Sequence, residues 1–338
     1  MNVLFDNFWA LLGIKLLLIV LVVMTTALVV IYAELKLGAH FQHRIGPYFA
    51  GGRWGWAQPL ADALKFLQKE DIIPAAADRV VFKAAPMVSL MAYFAVVVII
   101  PFSPRLVVQD LDVGIFYALA AGSLGTLGVL MAGWSSANKY SLMGGLRAAA
   151  QLIAYELPLV LAVVGVVIQA GTMSMVGIVE AQAEPAFHLG SVGIPLPFVL
   201  QGQLIGFIIF MIAMLAELSR TPFDLPMAES ELVMGYLTEY SGLRFTMFFL
   251  AEYAGIFVMS ALVSTLFLGG YFLPGLPSNV FGPVILMGKT SVIIFLIIWF
   301  RWTWPRVRED QLQGFAWRWL VPLALANLAV TATLKVVF

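Results

Sequence analysis

The 338-residue chain has no cysteine and only three histidines, His40, His43 and His188. Disulfides, thiolate zinc sites and cysteine-held iron–sulfur clusters are thereby excluded within it, and the three imidazoles offer no evident metal site. Charge is scarce, at 11% of residues, and balanced at 19 basic against 19 acidic side chains. With no basic excess there is no general attraction for nucleic acid, so electrostatic function must follow from placement. No glycine-rich phosphate loop, dinucleotide fingerprint or HExxH spacing occurs, which leaves no sign of nucleotide hydrolysis or nicotinamide binding. What abounds is apolar: 62% of residues, with mean hydropathy +0.95, where soluble domains stand near one half. The bilayer is this chain's solvent.

Eight hydrophobic stretches of roughly spanning length lie near residues 8–33, 80–102, 113–133, 153–172, 197–217, 247–268, 284–300 and 315–334. They are continuous apolar runs without period-two alternation, so the expected fold is all-α and polytopic, one transmembrane domain over 1–338, and not a closed barrel. The first run exceeds a signal-peptide core and is followed by Tyr32, Glu34 and Lys36 without a small-residue cleavage site, so it is expected to stay.

Lysine and arginine set the orientation. The first, third, fifth and seventh links carry 14 of the 19, among them Arg44, Arg147, Arg220, Arg306 and Arg308. The alternate links carry only Arg105, with none in 171–197 or 269–283. The positive-inside rule then predicts cytoplasmic odd links and both termini on the other side. Within the first link (34–79), polar Gln58, Asp62, Lys65 and Lys69 recur at helical spacing opposite Trp56, Leu60, Ala63, Leu64 and Leu67, with Pro59 suited to a first turn. This predicts an amphipathic helix over about 56–70, lying in the interface or on a loop subdomain; either way its apolar face needs lipid or a neighbouring protein. In the third stretch Ala118, Gly122, Gly125 and Gly133 suit close helix packing, and the doublets Gly51-Gly52 and Gly144-Gly145 suit turns or close approach. No internal repeat is evident.

The informative residues are ionisable groups where they should be costly. Glu34 ends the first stretch, Glu156 heads the fourth, Glu217 closes the fifth and Glu252 lies within the sixth. A carboxylate in hydrocarbon pairs, lines water or keeps its proton, so each is a proton-handling candidate. The plainer alternative pairs Glu34 with Lys36 and Glu217 with Arg220. The fifth link (218–246) is acidic: with Glu217 it holds Asp224, Glu229, Glu231 and Glu239 against Arg220 and Arg244. Such crowded carboxylates titrate together and respond to charge arriving nearby. Phe223, Leu225, Pro226, Leu232, Val233, Met234 and Tyr236 interleave them, as in a packed loop. Arg44, Arg147, Arg306 and Arg308 could neutralise these acids, hold an anionic intermediate or bind lipid headgroups.

Several strings resemble one family. Glu34-Leu-Lys-Leu-Gly, Gln42-His-Arg-Ile-Gly-Pro47 and Gln58-Pro-Leu-Ala-Asp62 with Lys65 and Lys69-Glu70 resemble the N-terminal signature of one membrane-arm family of respiratory complex I, the proton-pumping NADH:quinone oxidoreductase. That family is the one whose members wall the quinone chamber. The resemblance continues through Leu146-Arg-Ala-Ala-Ala-Gln151, Tyr155-Glu156, Ala216-Glu-Leu-Ser-Arg-Thr-Pro-Phe-Asp-Leu-Pro226, Glu229-Ser-Glu-Leu-Val233, Phe248-Phe-Leu-Ala-Glu-Tyr253 and Pro305-Arg-Val-Arg-Glu-Asp-Gln-Leu312, over nearly the whole chain. It implies a membrane component, free of redox centres, in the prokaryotic inner membrane. Its substrate would be a lipid quinone, reduced in a chamber shared with peripheral iron–sulfur subunits on the cytoplasmic side. FMN and the clusters would belong to partner subunits, and antiporter-like and small membrane subunits would flank it. Carried onto this chain, the chamber side takes Glu34, Arg44, Arg147, Glu217, Arg220, Asp224, Glu229, Glu231, Arg306 and Arg308. The proton path takes Glu156, Glu217 and Glu252. The chain departs from the family's usual pattern at Leu35, where a base is common, and at Met227, where an acid is common.

Two other readings belong beside this one. A homologous membrane component serves membrane-bound hydrogenases and ferredoxin- or F420-linked complexes. A free-standing secondary transporter would also bury carboxylates, but corresponding broken helices in two halves, its expected mark, are not found in the sequence. A passive anchor leaves Glu156 and Glu252 unexplained.

Overall fold

The computed structural model describes residues 8–189 and 192–337, with the side chains of residues 8, 186–189, 192–194, 229 and 230 outside that description. In chain order its elements are α1 (Phe8–Phe41), α2 (Gln58–Gln68), α3 (Arg79–Val97), α4 (Gly114–Ser135), α5 (Lys139–Ala170) and α6 (Met175–Ala183). A hairpin of β1 (Pro185–Leu189) and β2 (Val192–Pro195) follows, then α7 (Leu204–Glu217), the single turn α8 (Glu229–Leu232), α9 (Gly242–Phe267) and α10 (Ser278–Thr303). Finally α11 (Glu309–Phe315) runs through a π-helical turn at Ala316–Leu320 into α12 (Val321–Val337).

Seven helices are long and apolar enough to cross a membrane. The remaining expected crossing is α7, with 14 residues. At 1.5 Å per residue it rises about 21 Å, short of a hydrocarbon core of about 30 Å. Most helices outrun the apolar stretches that mark them: α1 continues to Phe41 and α5 begins at Lys139. Hydropathy stops at the first polar residues, but the backbone ladder continues wherever caps supply partners. Asn138 Oδ1 accepts from Tyr140 N–H at 2.9 Å to start α5, and Gly171, at φ +74°, ends it in the left-handed conformation that glycine adopts without strain. Asp78 caps α3 likewise, accepting from Val80 and Val81. The amphipathic helix is shorter than expected, Gln58 to Gln68, because the chain is extended at Lys69.

Helix α9 is the hub, buried continuously from Tyr253 to Phe267, as a helix apolar on all sides must be. Helices α3 and α4 pack through small residues: a Cβ on Gly128 would stand 2.7 Å from Ser89 N. One on Gly133 would stand 2.8 Å from Cα of Gly145, where α4 meets α5. The links sort into two ends. At one end Arg244 pairs with Asp71 at 2.8 Å, Asn138 donates to Glu239 at 2.5 Å and Arg147 pairs with Glu309 at 3.2 Å, joining the odd links. At the other, Ser174 donates to Asp110 at 2.8 Å and Lys289 Nζ donates to the carbonyls of Leu268 and Phe272, both at 2.7 Å. The hairpin sits in the fourth link, at this second end. Charge sorting along the chain thus matches sorting in space.

Candidate functional site

Because α7 is short, the chain turns at Glu217 and continues without helix into the protein: Leu218, Arg220, Phe223, Leu225 and Ala228 are buried. Irregular backbone at that depth needs partners from the protein itself. Gln151 of α5 supplies them, its Nε2 donating to the carbonyls of Ala216 at 2.7 Å and Phe223 at 2.8 Å. This pins the segment carrying Arg220.

The Arg220 guanidinium then joins three helices. It lies 3.2 Å from Glu34 of α1 and 2.9 Å from Glu252 of α9, above the Tyr253 ring at 4.7 Å. Arg301 of α10 also bonds Glu34. Two bases and two acids share one site, and neither Lys36 nor Arg220 plays the role that pairing by sequence proximity assigns it. Lys36 donates to the Pro47 carbonyl, and Glu217 has no ion pair among the described residues. Removing one member of a buried pair typically costs about 3–5 kcal/mol, because a desolvated charge is left behind.

Glu217 instead borders two small cavities. One, of about 40 Å³, is lined by Glu252, Tyr236, Ser89, Thr126, Met227 and Glu217 among others. The second, of about 30 Å³, runs from Glu217 toward Glu156 between Met175, Phe210 and Met259. A water needs about 10–15 Å³ of such volume, so each has room for about two or three. Glu156 stands on an exposed face of α5, so this second cavity leads to the side of the isolated chain and not to its centre. Tyr236 and Tyr240, in the link before α9, are held neutral. Burial, then Glu252, raises Tyr236 above the ordinary phenol range, and burial pushes Tyr240 up to about 12 while its hydroxyl donates to the Phe82 carbonyl at 3.1 Å.

Around this core lies a more exposed ring of pairs. Arg147 bonds Glu231 at 2.7 Å, and Arg306 bonds Asp224 at 3.1 Å. Arg308 is not brought to the acidic link; it pairs with Asp310 at 2.8 Å in the open. Arg44 is likewise apart, donating to its neighbour Gln42 at 2.6 Å. The side chain of Glu229 lies outside the described residues. An open apolar groove of about 880 Å³ flanks the ring between α7, Pro222-Phe223 and the start of α11. Arg301, Glu309, Gln151 and Tyr93 are site residues that sequence reasoning does not reach. Arg301 and Glu309 read as ordinary link charges, and a lone glutamine or tyrosine in an apolar run gives no periodic signal. Among the described residues no group of three or more His, Asp or Glu could hold a metal ion.

Fold and site together define a polytopic membrane protein that carries a buried ion network at its charged end. The chain belongs to the NADH dehydrogenase family, whose model matches residues 14–332. It is similar to the H subunit of the NADH-quinone oxidoreductase of Bacillus mycoides (strain KBAB4), 49% identical over 312 residues, covering 91% of this chain and 89% of that one. The H subunit of the Anoxybacillus flavithermus (strain DSM 21510 / WK1) enzyme is 48% identical over 330 residues, covering 96% and 93%.

Proposed function

We propose that this chain is the membrane subunit of a proton-translocating NADH:quinone oxidoreductase that helps wall the quinone chamber and carries the electrostatic effect of quinone reduction into the membrane. The observation behind this reading is the Glu34–Arg220–Glu252 site, where one cation ties the acidic link to two spanning helices. A charge appearing near the link shifts the balance among these groups, and Glu217, bordering the same cavity as Glu252, is the next carboxylate to respond. Asp224, Glu231, Arg147 and Arg306 form the chamber-side ring, and Glu229 is assigned there by its place in the link. Glu252, Glu217 and Glu156 form the path, with Glu156 as the exit toward a neighbouring membrane subunit. Arg44 and Arg308 lie on the surface offered to peripheral iron–sulfur subunits, which with their FMN-bearing partner hold the redox centres. The setting is the prokaryotic inner membrane, with the odd links cytoplasmic and the termini outside.

The quinone's way in is supported by α2. Trp56, Leu60, Leu64 and Leu67 are exposed along it, an apolar face that suits lipid and a lipid-borne substrate. A photoreactive quinone added to the assembled complex is expected to label residues 56–70 or the adjoining links. Labelling confined to the opposite end of the bundle defeats the chamber reading. Co-purification in mild detergent gives a second check: iron–sulfur, flavin and antiporter-like chains support the assignment, and a catalytic nickel–iron chain transfers it to a hydrogenase.

A further inference from the structure

We infer that Tyr93 is the hydroxyl bridge between the two water cavities, handing protons between the Glu252 side and Glu217; the inference rests on the proton-translocating reading above. Only Tyr93, Gly122 and Glu217 line both cavities, and of these only Tyr93 and Glu217 carry polar side chains. Tyr93 lies within α3, away from every loop and motif string, and nothing in its apolar surroundings calls for a phenol.

The seat of the ring is built by absent side chains. A Cβ on Gly255 of α9 would stand 2.8 Å from Cζ of Tyr93, and one on Gly125 of α4 would lie 3.8 Å from its hydroxyl oxygen. The ring is therefore wedged between α4 and α9 with its oxygen beside Gly125. One turn earlier on α4, a Cβ on Gly122 would lie 3.6 Å from Oε1 of Glu217. Residues three apart are neighbours on a helix face, so the phenol oxygen and the carboxylate address adjacent turns of one glycine-lined wall. No hydrogen bond joins the Tyr93 hydroxyl to another described residue. Buried hydroxyls take partners, and here the cavities on either side supply water.

The chemistry balances with no net change at the ring. A proton leaves the Glu252 carboxyl and travels over cavity water. A new O–H bond forms to the phenol oxygen on that side as the original O–H bond breaks on the other, releasing a proton to water and on to the Glu217 carboxylate. Rotation about the C–O bond then resets the hydroxyl. A phenol suits the task because it donates and accepts at one atom.

Tyr93→Phe keeps the ring in its glycine seat and removes only the oxygen. In the assembled complex in liposomes, protons moved per electron should fall while quinone KM and thermal stability stay at wild-type values. Positioned proton transfer is commonly worth ~10²–10⁴-fold, so the translocation step should slow roughly tenfold or more even with water partly filling the gap. The carboxyl C=O band in redox-difference infrared spectra should shift, a signature that packing alone does not move. Glu217→Gln is measured alongside. If it abolishes translocation while Tyr93→Phe keeps a wild-type proton ratio and unshifted bands, the bridge is refuted. If Glu217→Gln itself pumps normally, the parent reading fails instead.

Discussion

The Arg220 guanidinium sits 2.9 Å from the Glu252 carboxylate, binding the loop after α7 to the most buried helix of the bundle. Glu34 shares that cation, so its removal leaves two desolvated acids facing each other with only Arg301 nearby. Arg220→Met should destabilise the assembled complex by about 3–5 kcal/mol, read as a lower Tm and poorer recovery from the membrane. A melting curve equal to wild type would contradict the buried network. Arg220→Lys should recover only part of the loss, since one ammonium cannot span both carboxylates as the planar guanidinium does.

Glu217 predicts the opposite pattern. It has no ion pair among the described residues, so Glu217→Gln orphans no cation and assembly should be intact. Protons moved per electron should drop sharply, measured as dye quenching against NADH oxidation in vesicles. Unchanged pumping would remove it from the path.

The ring pairs should differ by exposure. Arg308 and Asp310 are largely in solvent, and such pairs are worth about 0–1 kcal/mol, so Arg308→Ala should keep normal quinone kinetics in the steady state. Arg147 reaches both Glu231 and Glu309, and Arg147→Ala should slow quinone turnover measurably. Glu231→Gln, which leaves Arg147 one partner, should fall between. A large loss at Arg308 with none at Arg147 would reverse the assignment of the chamber side.

Two glycines of close approach give a purely steric prediction. A Cβ on Gly144 would meet Cα of Gly235 at 2.7 Å, and one on Gly133 would meet Cα of Gly145 at 2.8 Å. Overpacking of this kind costs about 1–3 kcal/mol, so Gly144→Ala and Gly133→Ala should each lower the Tm of the complex. Gly288→Ala, with open space around it, serves as the neutral control.

Much of this is legible in the residue order. Long apolar runs mark the crossings, and the lysine and arginine bias foretells which links gather at one end. Glu34, Glu217 and Glu252 stand out because a carboxylate in hydrocarbon is costly. What the order does not carry is partnership across it. Arg220 and Glu34 are 186 residues apart, and nothing local says that they meet or that Arg301 joins them. Glu156 reads as interior because it lies in an apolar run, but a helix has an outer face, and the run alone does not say which residues take it. The ends of α1 and α5 escape a hydropathy reading because hydropathy tracks lipid contact, whereas helix length tracks hydrogen bonding.

The abrupt end of α7 makes its carboxylate a matter of register. Each residue added upstream in that helix swings everything after it by about 100° and lifts it about 1.5 Å. A single insertion would aim Glu217 away from the wall it shares with Tyr93, and roughly a full turn would be needed to face it again. The stretch from Leu204 to Glu217 therefore has its length set like a key cut, tolerant of apolar exchange along the shaft and intolerant of one tooth more or less.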